Sequence, residues 1–548
     1  MRYYDGMLRN LLAGLTLAAI TIPEQMATSK LGGFEPQVGL YAFIGATAGF
    51  AIVSFAFSGA CRILTAGADS TITPIFAASL AALAAKSAGV DLGSSETLAL
   101  LVAIILVIAG TLRLGWIADL LSTPIVTGFL AGIALHIVVS QLPDALGLAP
   151  PHGSLVQQVG ALAPRLGDTN LWSLAITVGM LVVIFAAEEI SPRIPGALIA
   201  LLLAMAATLA FGLEAKGVPV LGTLPGGGPR LALPDWQYEH VRELVPLALV
   251  VAVVIMMQVA AVSRSFPGPK GTDVDRDFLG LGIANLGAAL LGTFPVNASP
   301  PRTAVVQAAG GTSQLAALAA ALVVLVLALA GGRLLAHVPQ AALAGVLLFV
   351  ASRIVRLNVI TTVVRQAPGE AALIALTMAG VVLLPIPTGV AIGIGLSLVH
   401  GGWIATQTKA SEFKHVPGTT IWWPANQQGA TQSLPGVLVA GFAAPILFAN
   451  AETFRRGLLA LIEARQPLKL VVLEAGGVAH LDYTAAEAAR EVIESCRKRG
   501  IDFAVARLES VRAHQALERF GLLELLGKDH LFLSVADAVA AIGPNRSH

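Results

Sequence analysis

Two short stretches of this chain place helix breakers and polar groups in apolar surroundings. Residues 65–76 read TAGADSTITPIF and residues 295–306 read PVNASPPRTAVV, an offset of 230 positions. Each carries one charge, Asp69 or Arg302, and each leads into an apolar run. Irregular backbone at membrane depth survives only when buried in protein or lining a water-filled cavity. A half-helix that begins there points unpaired N–H groups and a positive dipole end into the cavity. Two such ends facing each other make an anion site. Pro300 and Pro301 suit the first turn of the second half-helix, because a proline there sacrifices no bonded N–H. The candidate substrate-binding residues are Gly67, Ala68, Asp69, Ser70, Ala298, Ser299 and Arg302. The small ones supply backbone N–H groups or hydroxyls, and Arg302 raises the local potential. A bare Asp69 carboxylate would oppose an anion, so it must pair with Arg302, carry a proton or bind a sodium ion. Small residues also serve ordinary helix packing in membranes, so the argument rests on the pairing of the two breaks.

The elements that must position these residues are apolar. The chain has 548 residues, 56% hydrophobic and 12% charged, where a soluble chain carries about 25% charged residues. Hydrophobic helices are expected near 8–27, 38–57, 70–86, 97–112, 120–140, 170–187, 194–212, 244–262, 278–293, 302–311, 314–331, 340–352, 369–384 and 387–406. That makes about 14 spans in residues 1–430, two of them short. They fall into repeat 1, about 8–212, and repeat 2, about 244–406. Seven helices per half is odd, so the second repeat must be inverted. With the N-terminus inside, the inner loops after the first helix carry Arg62, Arg113, Arg193, Arg264, Lys270, Arg276, Arg353, Arg356, Arg365, Lys409 and Lys414. The outer loops carry Lys30, Lys86, Arg165, Lys216, Arg230, Arg242 and Arg333, fewer cations, as the positive-inside rule requires. Glu24 and Gln25 follow Pro23 in the first helix. Gln25 either reaches substrate or makes a polar contact between helices. Glu188 and Glu189 read as interfacial charges, and His136 as a satisfied buried histidine.

The pattern changes near residue 433. GVLVAGF, LKLVVLEAG, IDFAVARL and HLFLSV read as strands, and NAETFRRGLLALIEAR, TAAEAAREVIESCRKRG and RAHQALERFGLLELL as amphipathic helices. Residues 434–543 are expected to form a small α/β domain. An even number of spans precedes it, so it lies with the N-terminus in the cytoplasm. Cys61 and Cys496 alone cannot make a disulfide framework or a cysteine metal site. A net charge of +1 without a basic stripe argues against nucleic acid. There is no zinc spacing, no nucleophile–base constellation and no phosphate loop. The glycines at 226–228 lack the lysine of such a loop. An enzyme is not expected, nor is a cofactor.

The chain resembles the SulP family of anion transporters. IPEQMATSKLGGFEPQVGLYA (22–42), LTAGADSTITP and LGLGIANLGAALLGTFPVNASPPRTAVVQAAGGTSQLA (279–316) look like the family's first-helix, third-helix and most specific stretches. The C-terminal domain looks like a STAS domain, the module shared with anti-sigma-factor antagonists. The resemblance implies two inverted seven-helix repeats arranged as core and gate domains. It also implies a substrate site between the N-termini of the third and tenth spans, elevator-type movement and a homodimer. Many members carry a carboxylate in the eighth span; here VVIMMQVAAVSRSF places Gln258 there, and a glutamine cannot give up a proton. The resemblance also puts Thr484, beside Asp482, at the antagonists' phosphoacceptor position, while the residues themselves read as a helix N-cap. The function expected is secondary transport of sulfate, bicarbonate or a dicarboxylate, coupled to Na+ or H+ if to either. An uncoupled anion channel and an anion sensor signalling through the STAS domain to a cytoplasmic partner are the alternatives. The expected location is a multi-pass membrane position, the inner membrane for a bacterial chain.

Overall fold

The structure, a computed structural model, describes residues 2–57, 59–86, 92–116, 122–151, 154–191, 194–222, 228–229, 231, 238–267, 271, 273–331, 335–425 and 432–543. Arg193, Arg230, Lys270 and Arg333, which enter the loop-charge comparison, lie outside the described residues, as do Gly226 and Gly227. The chain divides into two units, Met1–Ser397 and Leu398–His548.

The first unit is helical. Its elements are α1 (Arg2–Leu31), α2 (Pro36–Ala56), β1 (Ala66–Gly67), α3 (Thr73–Lys86), α4 (Leu92–Thr111), α5 (Thr123–Leu146), α6 (Leu155–Leu162), α7 (Leu171–Ile190), α8 (Gly196–Ala210), α9 (Tyr238–Ser265), α10 (Val274–Leu290), β2 (Asn297–Ala298), α11 (Pro300–Ala308), α12 (Leu315–Ala330), α13 (Gln340–Ile354), α14 (Leu357–Gln366), α15 (Pro368–Leu383) and α16 (Ile386–Thr406), the last running past the boundary of the unit. Every one of the fourteen apolar stretches is helical here. Eight described helical segments are long and apolar enough to cross a membrane, one of them α13 together with α14, and α8, α12 and α15 are apolar but shorter. Their outer faces expose Ile108, Val182, Leu203 and Leu322, as a lipid-facing surface does. Two helices were not expected. One is α6; the other is α14, which buries no residue along its length.

Packing sorts the long helices into two bundles. In the first, α10 lies against α2 and α4, α4 against α9, and α12 against α1 and α2. In the second, α5 lies against α13 and α15, and α7 against α8 and α13. Helix α1 also touches α5, α8 and α13, so it runs between the bundles.

The second unit holds a six-stranded sheet. Its strands are β3 (Ser411–His415), β4 (Trp422–Pro424), β5 (Val437–Gly441), β6 (Leu470–Glu474), β7 (Asp502–Ala506) and β8 (Leu531–Phe532), in the order β4-β3-β5-β6-β7-β8. The four strands expected from sequence are β5 to β8, and they pair in parallel. Strands β3 and β4 precede them and pair antiparallel. Helices α17 (Ala451–Ala464) and α18 (Tyr483–Lys498) sit where expected. The third expected helix is two, α19 (Val511–Arg519) and α20 (Leu522–Leu526). Gly521 between them has φ +71°, a left-handed turn that ends one helix and starts the next. A last helix, α21 (Val535–Ile542), closes the unit.

Candidate anion site

The two breaks meet because the helices leading into them touch. A Cβ on Gly45 of α2 would lie 2.6 Å from the carbonyl oxygen of Gly287 in α10, and one on Gly49 would lie 2.3 Å from that of Ile283. Only hydrogen fits at both positions, one turn apart on each helix, so the backbones approach closely as small residues permit in membranes. The chain beyond each helix then forms β1 or β2. These pair antiparallel, Ala66 with Ala298 and Gly67 with Asn297, wholly buried. Helices α3 and α11, 14 and 9 residues long, start just beyond. Pro300 and Pro301 occupy the first turn of α11, after Ser299.

Side-chain amides fix the two strands. Gln25 accepts from the Ala68 N–H at 2.7 Å and donates to the Ala68 carbonyl at 2.9 Å. Asn285 does the same for break two, accepting from the Val296 N–H at 2.9 Å and donating to its carbonyl at 3.0 Å. Each amide stands in for a neighbouring strand and satisfies backbone groups that would otherwise be orphaned in an apolar interior. Thr65 and Thr303 add a second link. The Ser299 N–H donates to the Thr65 carbonyl at 3.0 Å, and the Thr65 N–H donates to Thr303 Oγ1 at 3.2 Å.

Gln258 bridges the breaks from α9. Asn297 Nδ2 donates to Gln258 Oε1 at 2.8 Å, and Gln258 Nε2 donates to Thr71 Oγ1 at 2.5 Å. The Thr71 hydroxyl in turn donates to Asp69 Oδ1, which also accepts the Thr71 N–H at 3.0 Å. Every donor in this chain points toward Asp69.

Arg302 lies across the junction, 0% exposed. Its Nη2 donates to the Ala68 carbonyl at 3.2 Å, and its guanidinium carbon lies 6.0 Å from the centre of the Phe43 ring. Its Nε is 3.8 Å from Glu24 Oε1, and its Nε and Nη1 make no hydrogen bond among the described residues. A buried charge with unpaired donors is costly unless something pairs with it. Much of the expected backbone is already engaged, since the Ala68, Ala298 and Ser299 N–H groups go to Gln25, Asn297 Oδ1 and Thr65. The described hydrogen bonds leave the N–H groups of Asp69 and Ser70 unclaimed, and both residues are buried.

The membrane candidates Gly67, Ala68, Asp69, Ala298, Ser299, Arg302, Gln25 and Gln258 belong to one connected cluster, and Ser70 is buried beside Asp69 in the first break. Sequence reasoning missed Thr71, Asn285, Asn297 and Thr303. Asn285 and Asn297 stand within the quoted stretch 279–316, but nothing in their spacing marks their partners. Glu188 pairs with Arg353, and Glu189 is exposed. His136 Nε2 lies 2.8 Å from the Val381 carbonyl.

In the second unit Asp482 precedes α18. Its Oδ1 accepts from the Ala485 N–H at 2.9 Å, a helix cap, and its Oδ2 accepts from the Phe448 N–H at 2.6 Å. Thr484 is exposed in the first turn. Glu474, at the end of β6, is buried, and burial raises its carboxyl above the ordinary range, partly offset by Arg507 at 3.2 Å.

Long apolar helices interrupted by two facing breaks define a multi-pass membrane protein. Comparison agrees. The sulfate permease family model matches residues 7–377, and the STAS domain model matches residues 430–538. A probable sulfate transporter of Mycobacterium tuberculosis is 32% identical over 537 residues, 97% of this chain and 94% of that one. The chloroplastic sulfate transporter 4.1 of Arabidopsis thaliana is 24% identical, over 98% of this chain and 80% of its own. Murine Slc26a9, an anion transporter solved in its inward-facing state, superposes with a TM-score of 0.89 at 23% identity, covering 99% of this chain and 92% of that one. The transmembrane domain of the cyanobacterial bicarbonate transporter BicA gives 0.61 at 21% identity, over 72% of this chain and 97% of its own. The chain belongs to the sulfate permease family. It is a multi-pass membrane protein of an anion-transporter family, with a C-terminal STAS domain, and not an enzyme.

Proposed function

We propose that this protein is a secondary active transporter of small oxyanions, with sulfate its first substrate. The observation that carries this reading is Arg302: fully buried, at the meeting of the α3 and α11 N-termini, with Nε and Nη1 making no hydrogen bond among the described residues. An oxyanion accepting from those two donors, and from the unclaimed N–H groups of Asp69 and Ser70, would satisfy groups the protein leaves open. Gly67, Ala68, Ala298 and Ser299 shape the cradle, and Gln25 and Gln258 hold it. The names of the relatives favour sulfate, and bicarbonate is the alternative from BicA.

In this reading the transport domain lies within residues 1–430 and residues 434–543 form the STAS domain, to whose sheet β3 and β4 are added. The transport domain comprises inverted repeats at about 8–212 and 244–406. The antiparallel pairing of β1 with β2 supports the inversion. The bundle containing α2, α4, α9, α10 and α12 is the moving core and the bundle around α5, α7 and α13 the gate, so the site crosses the membrane as on an elevator. The N-terminus and STAS domain face the cytoplasm, the protein works as a homodimer, and Asp482 and Thr484 mark the STAS surface open to regulation.

The test is uptake of labelled sulfate, bicarbonate and fumarate by the purified protein in liposomes, with and without sodium and pH gradients. Saturable sulfate uptake lost in Arg302→Ala is expected. Current without saturation would favour a channel, and folded protein that moves no anion would favour a sensor.

A further inference from the structure

Helix α14 (Leu357–Gln366) belongs neither to the anion site nor to the packed interior. It lies against α15 and α5, yet none of its residues is buried. The chain leaves helical geometry on both sides of it. Val355 and Arg356, after α13, have φ −72° with ψ 111° and φ −87° with ψ 68°. Ala367, before α15, has φ −138° with ψ 68°. Helix α14 therefore continues neither neighbour. Helices α13 and α15 correspond to the apolar stretches 340–352 and 369–384, two consecutive crossings, and a short helix joining two crossings lies at the membrane face where both end.

Its sequence, LNVITTVVRQ, has two faces. Leu357, Ile360, Val363 and Val364 share one by helical spacing; Asn358, Thr361, Thr362 and Arg365 share the other. An apolar stripe of this kind ordinarily turns to a core. Here Leu357 is 65% exposed and Val364 52%, and Ile360 and Val363 are only half-buried. The polar face has no protein partner either, since the Thr361 and Thr362 hydroxyls donate back to the Asn358 carbonyl at 3.0 and 2.7 Å. Three arginines stand around the helix. Arg353 is engaged by Glu188, and its guanidinium lies 5.9 and 5.5 Å from the centres of the Phe185 and Phe349 rings. Arg356, at the helix start, and Arg365, on the polar face, are exposed and make no side-chain hydrogen bond or ion pair among the described residues.

We propose that α14 is a docking surface for anionic phospholipids. It lies in the plane of the membrane surface, with Leu357, Ile360, Val363 and Val364 among the acyl chains and Arg356 and Arg365 on lipid phosphates. Helices that rest in the headgroup boundary have this make-up, an apolar face turned to the chains and cations turned to the headgroups. A guanidinium gives a phosphate two parallel N–H groups. Positions 356 and 365 lie about 14 Å apart along the helix, so each arginine holds a headgroup of its own. The proposed orientation puts α14 on the cytoplasmic face, the one whose anionic lipids attract basic segments beside a crossing. Each arginine there contributes about fivefold in affinity, and added salt weakens the contact.

The experiment titrates the full-length protein, in uncharged detergent, with fluorescent phosphatidylglycerol. Unlabelled phosphatidylglycerol should displace it; phosphatidylcholine, and inorganic phosphate at equal ionic strength, should not. Arg356→Gln together with Arg365→Gln should weaken binding about 25-fold. Arg512→Gln together with Arg519→Gln, the same change of charge at exposed positions of the STAS unit, should leave it within about twofold. Displacement by inorganic phosphate, or equal affinity in the Arg356 and Arg365 variant, would overturn the lipid contact. Depth is read separately in bilayers of lipids brominated along the acyl chain. A bimane dye is placed at Leu357→Cys, Val364→Cys or Thr362→Cys, in protein carrying Cys61→Ala and Cys496→Ala. Quenching at 357 and 364 but not at 362 is expected. Equal quenching at all three would set α14 across the bilayer, and none at any would set it clear of the membrane; either overturns the proposal.

Discussion

Replacing Gly67 by alanine tests the site without touching any of its charges. A Cβ there would lie 2.8 Å from Arg302 Nη1, 2.8 Å from Gln25 Oε1 and 3.0 Å from Phe43 Cδ2. An ordinary contact needs about 3.4 Å or more, so three neighbours must each yield roughly half an ångström. None is idle. Gln25 holds both backbone groups of Ala68, and Arg302 donates to the same carbonyl at 3.2 Å. Overpacking of this kind costs about 1–3 kcal/mol, and a misaimed charged hydrogen bond about 1.5–3 kcal/mol. Much of the strain is shared with the empty protein, so the second figure governs affinity: a loss of about 10- to 100-fold. The assay is sulfate binding by calorimetry in detergent beside uptake in liposomes. Gly179→Ala is the control, since a Cβ there meets nothing within 4 Å. Gly67→Ala that is monodisperse and binds sulfate within about twofold of wild type would refute the placement of the anion against Arg302 Nη1.

Further outcomes follow from other contacts. Gln258→Glu removes the donor to Thr71 and sets a second carboxylate beside the chain that ends on Asp69; sulfate affinity should fall more steeply with rising pH than in wild type, and an unchanged slope would remove Gln258 from the site. Lys30 of α1 lies 2.7 Å from Asp144 of α5 and 2.8 Å from Gln340 Oε1 of α13, so it ties the two bundles together. A double-mutant cycle of Lys30→Met with Asp144→Asn, read by thermal unfolding, should give a coupling of about 1–2 kcal/mol for this partly buried pair, and a value near zero would make the contact incidental. Cys496 is 1% exposed, and burial pushes its thiol up to about 11, Arg499 drawing it back slightly. Cys61 is equally buried. A maleimide should therefore label neither at neutral pH until the protein unfolds, and prompt labelling would contradict their burial. Burial raises Glu474 in the STAS unit, so its protonated form stabilises the fold fully below the unfolded value of about 4.3. That contribution is lost as pH rises through the raised folded value. Glu474→Gln should flatten this segment of a stability–pH curve, and an unaltered curve would assign it elsewhere.

The breaks were legible because they violate a strong rule. Proline pairs and charges do not stand in apolar helices without cause, and their repetition at an offset of 230 positions pointed one break at the other. The helices were legible for the converse reason, since long apolar runs have few alternatives. Less visible were contacts set by tertiary approach. Gln25 could have reached substrate or a neighbouring helix; both of its amide atoms engage Ala68. Asn285 and Asn297 occupy the stretch that was quoted for resemblance, yet their partners depend on how closely α2 and α10 cross, which glycines decide and spacing does not encode. Strands β3 and β4 were missed because no residue in either is fully buried, so no clean alternation marks them. The split between α19 and α20 turns on Gly521, whose left-handed turn a helical reading passes over.

These hidden contacts change the chemistry of the site as well as its description. Read from sequence, a row of small residues offers an anion a row of free N–H groups. In the fold the N–H groups of Ala68, Ala298 and Ser299 are spent on Gln25, Asn297 and Thr65, because a break buried among helices must satisfy its own backbone before it can serve a ligand. In the proposed reading, the task of meeting the anion's charge then shifts to Arg302. Two consequences follow from that shift. Arg302 cannot be exchanged for lysine without loss, since a point ammonium cannot hold the Ala68 carbonyl through one nitrogen while offering two others to an oxyanion. And because Arg302 Nε also lies 3.8 Å from Glu24, an anion that claims the guanidinium in the proposed reading must compete with that carboxylate.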